Sequence, residues 1–343
     1  MPELRKDPIV GRWVIIATQR ARRPGNFIDP YKYLWKAEKK NCPHCELKEK
    51  PLLVMTHKKR GFSSSWDVCV VPSRNPFLET DNNFQRAQQG LYEVIDGFGT
   101  HEVIIETPQH TANMADLEVK QISLVLKTYV LRINELKKNK EVQFVLVYKN
   151  YGWTAGGHIT GHTRSHIIAT PVNPLRVREK LRGAKEYFDR EHRCIYCDLI
   201  RQELEEKTRI VAQTEHFLAL TPFAARFLFE VWVFPKKHDC DFSRGIEGCE
   251  EELASLMKIL FQKFKNGLQD PPYNFIIQTA PFRQPHPDPR RWETVEKDFH
   301  WHIELMPRLT QVAGFEKGTG FYICSIPPEH MAEYLREIKH GSI

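Results

Sequence analysis

No apolar run of about 18 residues, the length a membrane-spanning helix needs, occurs anywhere in the 343-residue chain. The opening stretch MPELRKDPIVGRW carries charges but no apolar core of the kind a secretory leader requires, which predicts a cytoplasmic protein. Neither sign of charge dominates. Fifty Lys and Arg against 43 Asp and Glu leave a net charge of +7, with 15 histidines neutral. That surplus suits small anionic substrates and gives no case for nucleic acid. Cysteine is sparse for the length, eight in all, which excludes a disulfide-stapled miniprotein, and disulfides are not expected in a cytoplasmic chain. At 41% hydrophobic and 27% charged, the composition is neither that of a disordered chain nor of collagen. The length is about right for two domains.

Four of the cysteines form two pairs, Cys42-Pro-His-Cys45 and Cys194-Ile-Tyr-Cys197. A C-x-x-C turn lets two thiolates reach one tetrahedral zinc. The competing reading is a redox dithiol, which opens a helix after a strand in a thioredoxin-like unit, a setting neither pair has. Cys69, Cys240, Cys249 and Cys324 stand alone and read as packing residues.

The pairs head two copies of one pattern. After the first comes an apolar strand from Glu102 that leads through Pro108 to His110. After the second comes Glu230 to Pro235, leading to His238. Each is followed by a helical period: Ile122, Leu126, Tyr129, Ile133 and Leu136 in one copy, Leu253, Leu256, Leu260 and Phe264 in the other. A β-branched or aromatic strand comes next, Val142 to Tyr148 and Asn274 to Gln278. Each copy closes on a strand that carries histidines and ends in proline, His162 to Pro171 and His300 to Pro307. The shared order predicts a duplicated α+β unit with halves 1–175 and 176–343. The join is a charged helix near Pro174 to Arg193, and the Pro-rich stretch 281–297 reads as a surface loop.

Duplication also selects metal ligands. Cys42, Cys45, His110 and His162 form one candidate set, and Cys194, Cys197, His238 and His300 the other. Two thiolates and two imidazoles close a tetrahedral zinc, leaving no position for an activated water, so both zincs are expected to be structural. His44, His57, His101, His192 and His216 have no counterparts and read as ordinary polar residues.

Further motifs carry a resemblance. They are Arg12-Trp-Val14, Gln19-Arg-Ala-Arg-Arg-Pro24, Asn75-Pro-Phe77, His101-Glu-Val-Ile104, Asn150-Tyr-Gly152, His300-Trp-His-Ile-Glu304, Pro307-Arg-Leu309 and Gly314-Phe-Glu-Lys-Gly-Thr-Gly-Phe-Tyr322. Together with the cysteine pairs they resemble the galactose-1-phosphate uridylyltransferase family of the histidine-triad superfamily. The likeness is strongest to its two-zinc branch, which includes ADP-glucose phosphorylase-like enzymes. The resemblance implies an α+β fold of two tandem histidine-triad-like halves, each an antiparallel sheet with a packed helix and a structural zinc. It implies a nucleotidyltransferase acting on a nucleotide sugar or sugar phosphate. In the family a histidine attacks the α-phosphorus, sugar 1-phosphate leaves, and a second acceptor collects the nucleotidyl group. It also implies a homodimer, with neither nucleic acid nor membrane as partner. Matched positions place Arg20 and Arg23 near the diphosphate, Asn75 and Phe77 at the nucleoside, and Asn150 near ribose and phosphate. Glu316, Lys317, Gly318, Thr319 and Tyr322 fall in the sugar-phosphate segment, near the dimer interface.

One departure decides the chemistry. Where the family strand reads His-Pro-His-x-Gln, this chain reads His162-Thr-Arg164-Ser-His166. Arginine holds its proton far above neutral pH and offers no electron pair. Positions 164 and 166 share a strand face about 6.6 Å apart, so His166 does not fill the missing imidazole's place. Four readings stay open. Arg164 stabilises a direct transfer, with His166 or His158 as base or replacement nucleophile. His302, with Glu304, carries catalysis in the second half, the alternative there being a buried structural pair. The chain binds nucleotide or sugar phosphate without turnover. Or His158, Arg164 and His166 form a new polar cluster for different chemistry, a third metal on His158 and His166 included.

Overall fold

The computed structural model describes residues 2–20, 42–45, 47–56, 66–80, 85–110, 113–157, 161–282 and 292–339. Strands β1 (Glu3–Lys6), β2 (Trp13–Ile16), β3 (Leu53–Met55), β4 (Val68–Pro72), β5 (Arg86–Gln89), β6 (Tyr92–Ile95) and β7 (Thr100–Ile105) precede helix α1 (Val119–Leu136). Then come β8 (Phe144–Tyr151), β9 (Arg164–Thr170) and the joining helix α2 (Leu175–Glu191). The second half runs α3 (Ile195–Glu206), β10 (Ile210–Gln213), β11 (Phe217–Leu220), β12 (Val231–Pro235), α4 (Phe242–Gly245) and α5 (Glu250–Gly267). It continues with β13 (Tyr273–Gln278), α6 (Val295–Asp298), β14 (His302–Pro307), α7 (Gly314–Thr319), β15 (Tyr322–Cys324) and α8 (Pro328–Glu337).

The two copies share one sheet. Ten strands lie in the order β10-β11-β12-β14-β13-β8-β9-β7-β4-β3. Outward from the middle, β8-β9-β7-β4-β3 repeats as β13-β14-β12-β11-β10, which is the duplication seen as topology. The halves meet where β8 and β13 pair antiparallel, Asn150 opposite Asn274 and Tyr151 opposite Tyr273. The Asn274 side-chain amide donates to Asn150 Oδ1 at 2.8 Å across the seam. A sheet for each half was expected, and the structure joins the two edge to edge.

Alternation along the strands decides which side chains meet solvent. In β9, Ser165, Ile167 and Ala169 are buried, whereas Arg164, His166 and Ile168 are only half-buried. The buried face lies under the apolar stripe of α1, Ile122, Val125, Leu126, Tyr129 and Ile133. Leu253, Leu256, Leu260 and Phe264 of α5 form the matching stripe in the second half, and α1 packs against α5 across the seam.

On the opposite face the halves differ. The first half's face is open at β9, while α2 lies over the second half's. Val177, Leu181 and Ala184 of α2 are buried in a second core with Leu218, Leu220, Trp232 and Phe234. Gly183 makes that seat possible, because a Cβ there would lie 1.7 Å from the Ile9 carbonyl oxygen. A smaller sheet, β1-β2-β15, pairs the start of the chain with its end, β15 running parallel to β2. No helix among the described residues is long and apolar enough to cross a membrane.

Candidate functional site

Both C-x-x-C turns are brought to the histidines that the repeat selected. His162 Nδ1 lies 3.5 Å from Cys42 Sγ and 3.5 Å from Cys45 Sγ, and His110 Nδ1 lies 3.3 Å from Cys45 Sγ. In the second half, Cys197 Sγ is 3.3 Å from His238 Nδ1 and 3.7 Å from His300 Nδ1. A tetrahedral zinc with bonds of about 2.3 Å to sulfur and about 2.0 Å to nitrogen sets its S and N ligands about 3.5 Å apart. The donors therefore fit such an ion. Their outer nitrogens are also engaged. His162 Nε2 donates to the Thr107 carbonyl at 2.8 Å, His300 Nε2 to Pro235 at 2.9 Å and His238 Nε2 to Glu296 at 3.0 Å. With Nε2 carrying the proton, each Nδ1 is left as the free lone pair. Hydrogen bonding from Cys194 is the largest influence drawing the Cys197 thiol down toward the thiolate that a metal ion binds. All eight cysteines are free of disulfides, and Cys69, Cys240 and Cys324 are buried as packing residues, with Cys249 partly exposed.

The first cluster sits at the head of the open face. His162 precedes β9 by two residues, so the strand enters the sheet from the metal ligand and delivers Arg164 next. The Arg164 guanidinium donates to the His162 carbonyl at 3.3 Å. Burial lowers its pKa. On the buried side of the strand, Lys149 and Glu106 form an ion pair at 2.6 Å. Lys149 also donates to Thr163 Oγ1 at 2.7 Å and to the Arg164 carbonyl at 3.0 Å. Tyr129 donates to Ser165 Oγ at 2.8 Å. This network pins the backbone on both sides of Arg164.

His166 is the next residue on the open face. Tyr148, directly opposite it in β8, stacks on its ring with centroids 5.1 Å apart. Burial, then the charge of Arg164, lowers the His166 pKa to about 3. A residue the sequence gave no role completes the row. His101 Nε2 lies 3.1 Å from His166 Nδ1, and Phe77 stacks on the His101 ring at 4.6 Å. Phe77 is 71% exposed, an aromatic shelf facing outward, and Asn75 beside it is exposed too. Asn150 shares the Tyr148 face of β8 and is held at the seam by Asn274. The signal for His101 was its place in the alternation of a strand that otherwise reads Val-Ile-Ile.

The second half has no such opening. His302 and Glu304 are 0% and 1% exposed. Lys180 of α2 approaches His302 Nε2 to 2.7 Å and pairs with Glu304, whose other oxygen takes Arg226 at 2.8 Å. Burial would raise Glu304, but Arg226 and Lys180 together hold it well below the carboxylate range. Burial and Lys180 lower His302 to about 4. The arrangement is the buried structural pair, saturated within the protein.

The segment of Glu316, Lys317, Gly318, Thr319 and Tyr322 lies beside the small sheet rather than on β9. Glu316 accepts from the Ala313 and Ile323 amides, and Tyr322 lies under Arg12 and against Phe227. His158, Arg23 and the side chain of Arg20 lie outside the described residues.

Among the described residues, two fused copies carry two Cys/His clusters that could hold metal ions, and the first half has Arg164 and His166 side by side on the half-buried face of β9. The chain belongs to the galactose-1-phosphate uridylyltransferase family. The family's N-terminal domain matches residues 1–174 and its C-terminal domain residues 180–323. Among curated relatives, ADP-glucose phosphorylase of Arabidopsis thaliana is 33% identical over 98% of this chain and 93% of its own length. Galactose-1-phosphate uridylyltransferase of Thermotoga maritima is 28% identical over 98% of each chain. The crystal structure of the Arabidopsis ADP-glucose phosphorylase with bound ADP-glucose superposes with a TM-score of 0.79 at 31% identity, covering 99% of both chains.

Proposed function

We propose that the chain binds a nucleoside-diphosphate sugar on the β9 face and transfers its nucleotidyl group to inorganic phosphate or a sugar 1-phosphate. The observation that carries this reading is the placement of Arg164 and His166 on the open face of a fold shared along nearly its whole length with enzymes of that kind. Arg164 supplies charge where the family strand supplies a nucleophile. A fixed guanidinium stabilises the phosphoryl oxygens of a transition state but accepts no nucleotidyl group. The transfer is therefore direct. The acceptor's phosphate oxygen attacks the α-phosphorus in line, the bond to the sugar phosphate breaks, and sugar 1-phosphate leaves with the electron pair. Phe77 stacks the base, with Asn75 beside it, and Asn150 lies toward the ribose. Arg20 and Arg23 complete the anion contacts.

The Cys/His clusters hold zinc as closed four-ligand sites, the first fixing the turn from which β9 departs. Reduced thiolates of this kind go with a cytoplasmic setting. Segment 314–322 of a second copy closes the sugar side of the face in a homodimer.

A second reading, binding without turnover, is favoured by the same permanently charged Arg164. Incubation of the zinc-loaded protein with ADP-glucose or UDP-glucose and phosphate separates the two. Release of glucose 1-phosphate, inversion at phosphorus and no acid-labile nucleotidyl-protein are the expected results. Saturable binding with no release would leave the second reading standing. Retention at phosphorus would overturn direct transfer.

A further inference from the structure

The His101–His166 contact settles what His166 offers the substrate. His101 lies in β7 two residues before Val103, the residue facing His166, so the two imidazoles are diagonal neighbours on one face. Both rings are clamped, His101 by Phe77 and His166 by Tyr148. The contact of 3.1 Å between His101 Nε2 and His166 Nδ1 holds one proton, and either ring can own it. Burial lowers the pKa of each, so both are neutral near pH 7 and each carries a single N–H.

The remaining nitrogens decide the owner. His101 is 7% exposed, and its Nδ1 is buried with no partner among the described residues. Were His166 Nδ1 the donor, His101 would carry its own proton on that orphaned Nδ1, an unpaired buried N–H. Proteins tolerate that group far less than an unpaired acceptor. Were His101 Nε2 the donor, Nδ1 would be only a buried, unpaired acceptor. His166 Nε2 has no protein partner among the described residues and is not buried.

We infer that His101 donates its Nε2–H to His166 Nδ1, so that His166 presents Nε2–H to the open face as a hydrogen-bond donor to a diphosphate oxygen and not as a nucleophile or base. His101 is then a positioning residue acting through His166. The functional half of this assignment rests on the reading of the β9 face as a nucleotide-sugar site. Arg164 and His166 then offer two adjacent donors, which is what stabilising the phosphoryl oxygens in direct transfer needs.

Long-range proton–nitrogen NMR on the full chain, zinc-loaded and labelled at histidine, reads the tautomer directly. The wild type is expected to show His166 protonated at Nε2. His101→Phe should release that preference and lower kcat about tenfold, the loss of one well-placed hydrogen bond, with KM little changed. His101→Asn, whose amide still donates, should restore both the tautomer and most of the rate. Protonation of His166 at Nδ1 in the wild type, or an acid-labile nucleotidyl group on His166, would overturn the assignment. Failure to bind or turn over any nucleotide sugar would sink the functional reading alone, since the tautomer is measured without substrate.

Discussion

Replacing Arg164 with Met tests whether a fixed positive charge governs the neighbouring imidazole. Two residues of extended strand separate positions 164 and 166 by about 6.6 Å. At an effective dielectric constant of about 20, a unit charge at that distance disfavours a second by at most about 2.5 kcal/mol, a midpoint displacement of less than about 1.8. His166 lies at about 3 because of burial first and Arg164 second. In Arg164→Met the burial part persists, so the midpoint should rise but stay well below the ordinary 6.5. Histidine ring resonances followed from pH 8 to 4 give the measurement. The wild-type ring should remain neutral throughout and the variant ring should titrate. The sign carries over to stability. Between pH 6.5 and about 3 the unfolded chain binds a proton that the folded chain refuses, so this group's contribution is complete above 6.5 and declines as pH falls. The variant should lose less over that window. Nucleotidyl transfer should drop about 100- to 1000-fold, as when an oxyanion donor is removed. A variant whose His166 midpoint does not rise above the wild-type one would show that Arg164 does not face it, and the electrostatic account of the site would fail.

Metal analysis should give two zinc ions per chain, and Cys194→Ser should lose one, its S–N framework being broken; a full complement in that variant would refute the ligand set. Lys180→Met strips the cation from His302 and Glu304 in a wholly buried network, and urea unfolding should show a loss of about 3–5 kcal/mol. A loss below about 1 kcal/mol would mean that α2 does not anchor there. Phe77→Ala removes the shelf on His101 and should raise KM for the nucleotide sugar about 2- to 10-fold with kcat kept. An equal fall in kcat would place Phe77 at the reacting groups instead.

The duplicated order and both ligand sets were legible because each rests on local spacing: C-x-x-C turns, helical periods, and strands that end in His or Pro. The fused sheet was not, since pairing of β8 with β13 depends on two edges far apart in the chain. The charged joining helix reads as solvated, yet Val177, Leu181 and Ala184 recur at spacings of four and three, and the intervening Lys180 is buried against Glu304. A lysine in such a stripe looks like a solvent-facing interruption until its acidic partner is known. The same helix explains why His302, at the register position of Arg164, is buried from solvent. His101 is not legible as a site residue, because its importance lies in a diagonal contact and strand register is not written in either strand alone.

The β8–β13 seam has a consequence for chains cut at the joining helix. Each severed piece would expose a ready ladder of amide and carbonyl groups along that strand. Because the two edges are copies related by an approximate twofold axis, each piece is shaped to accept its own twin as well as its true mate. Isolated pieces should therefore self-associate, and covalent tethering is what keeps the correct pairing ahead of these look-alike ones.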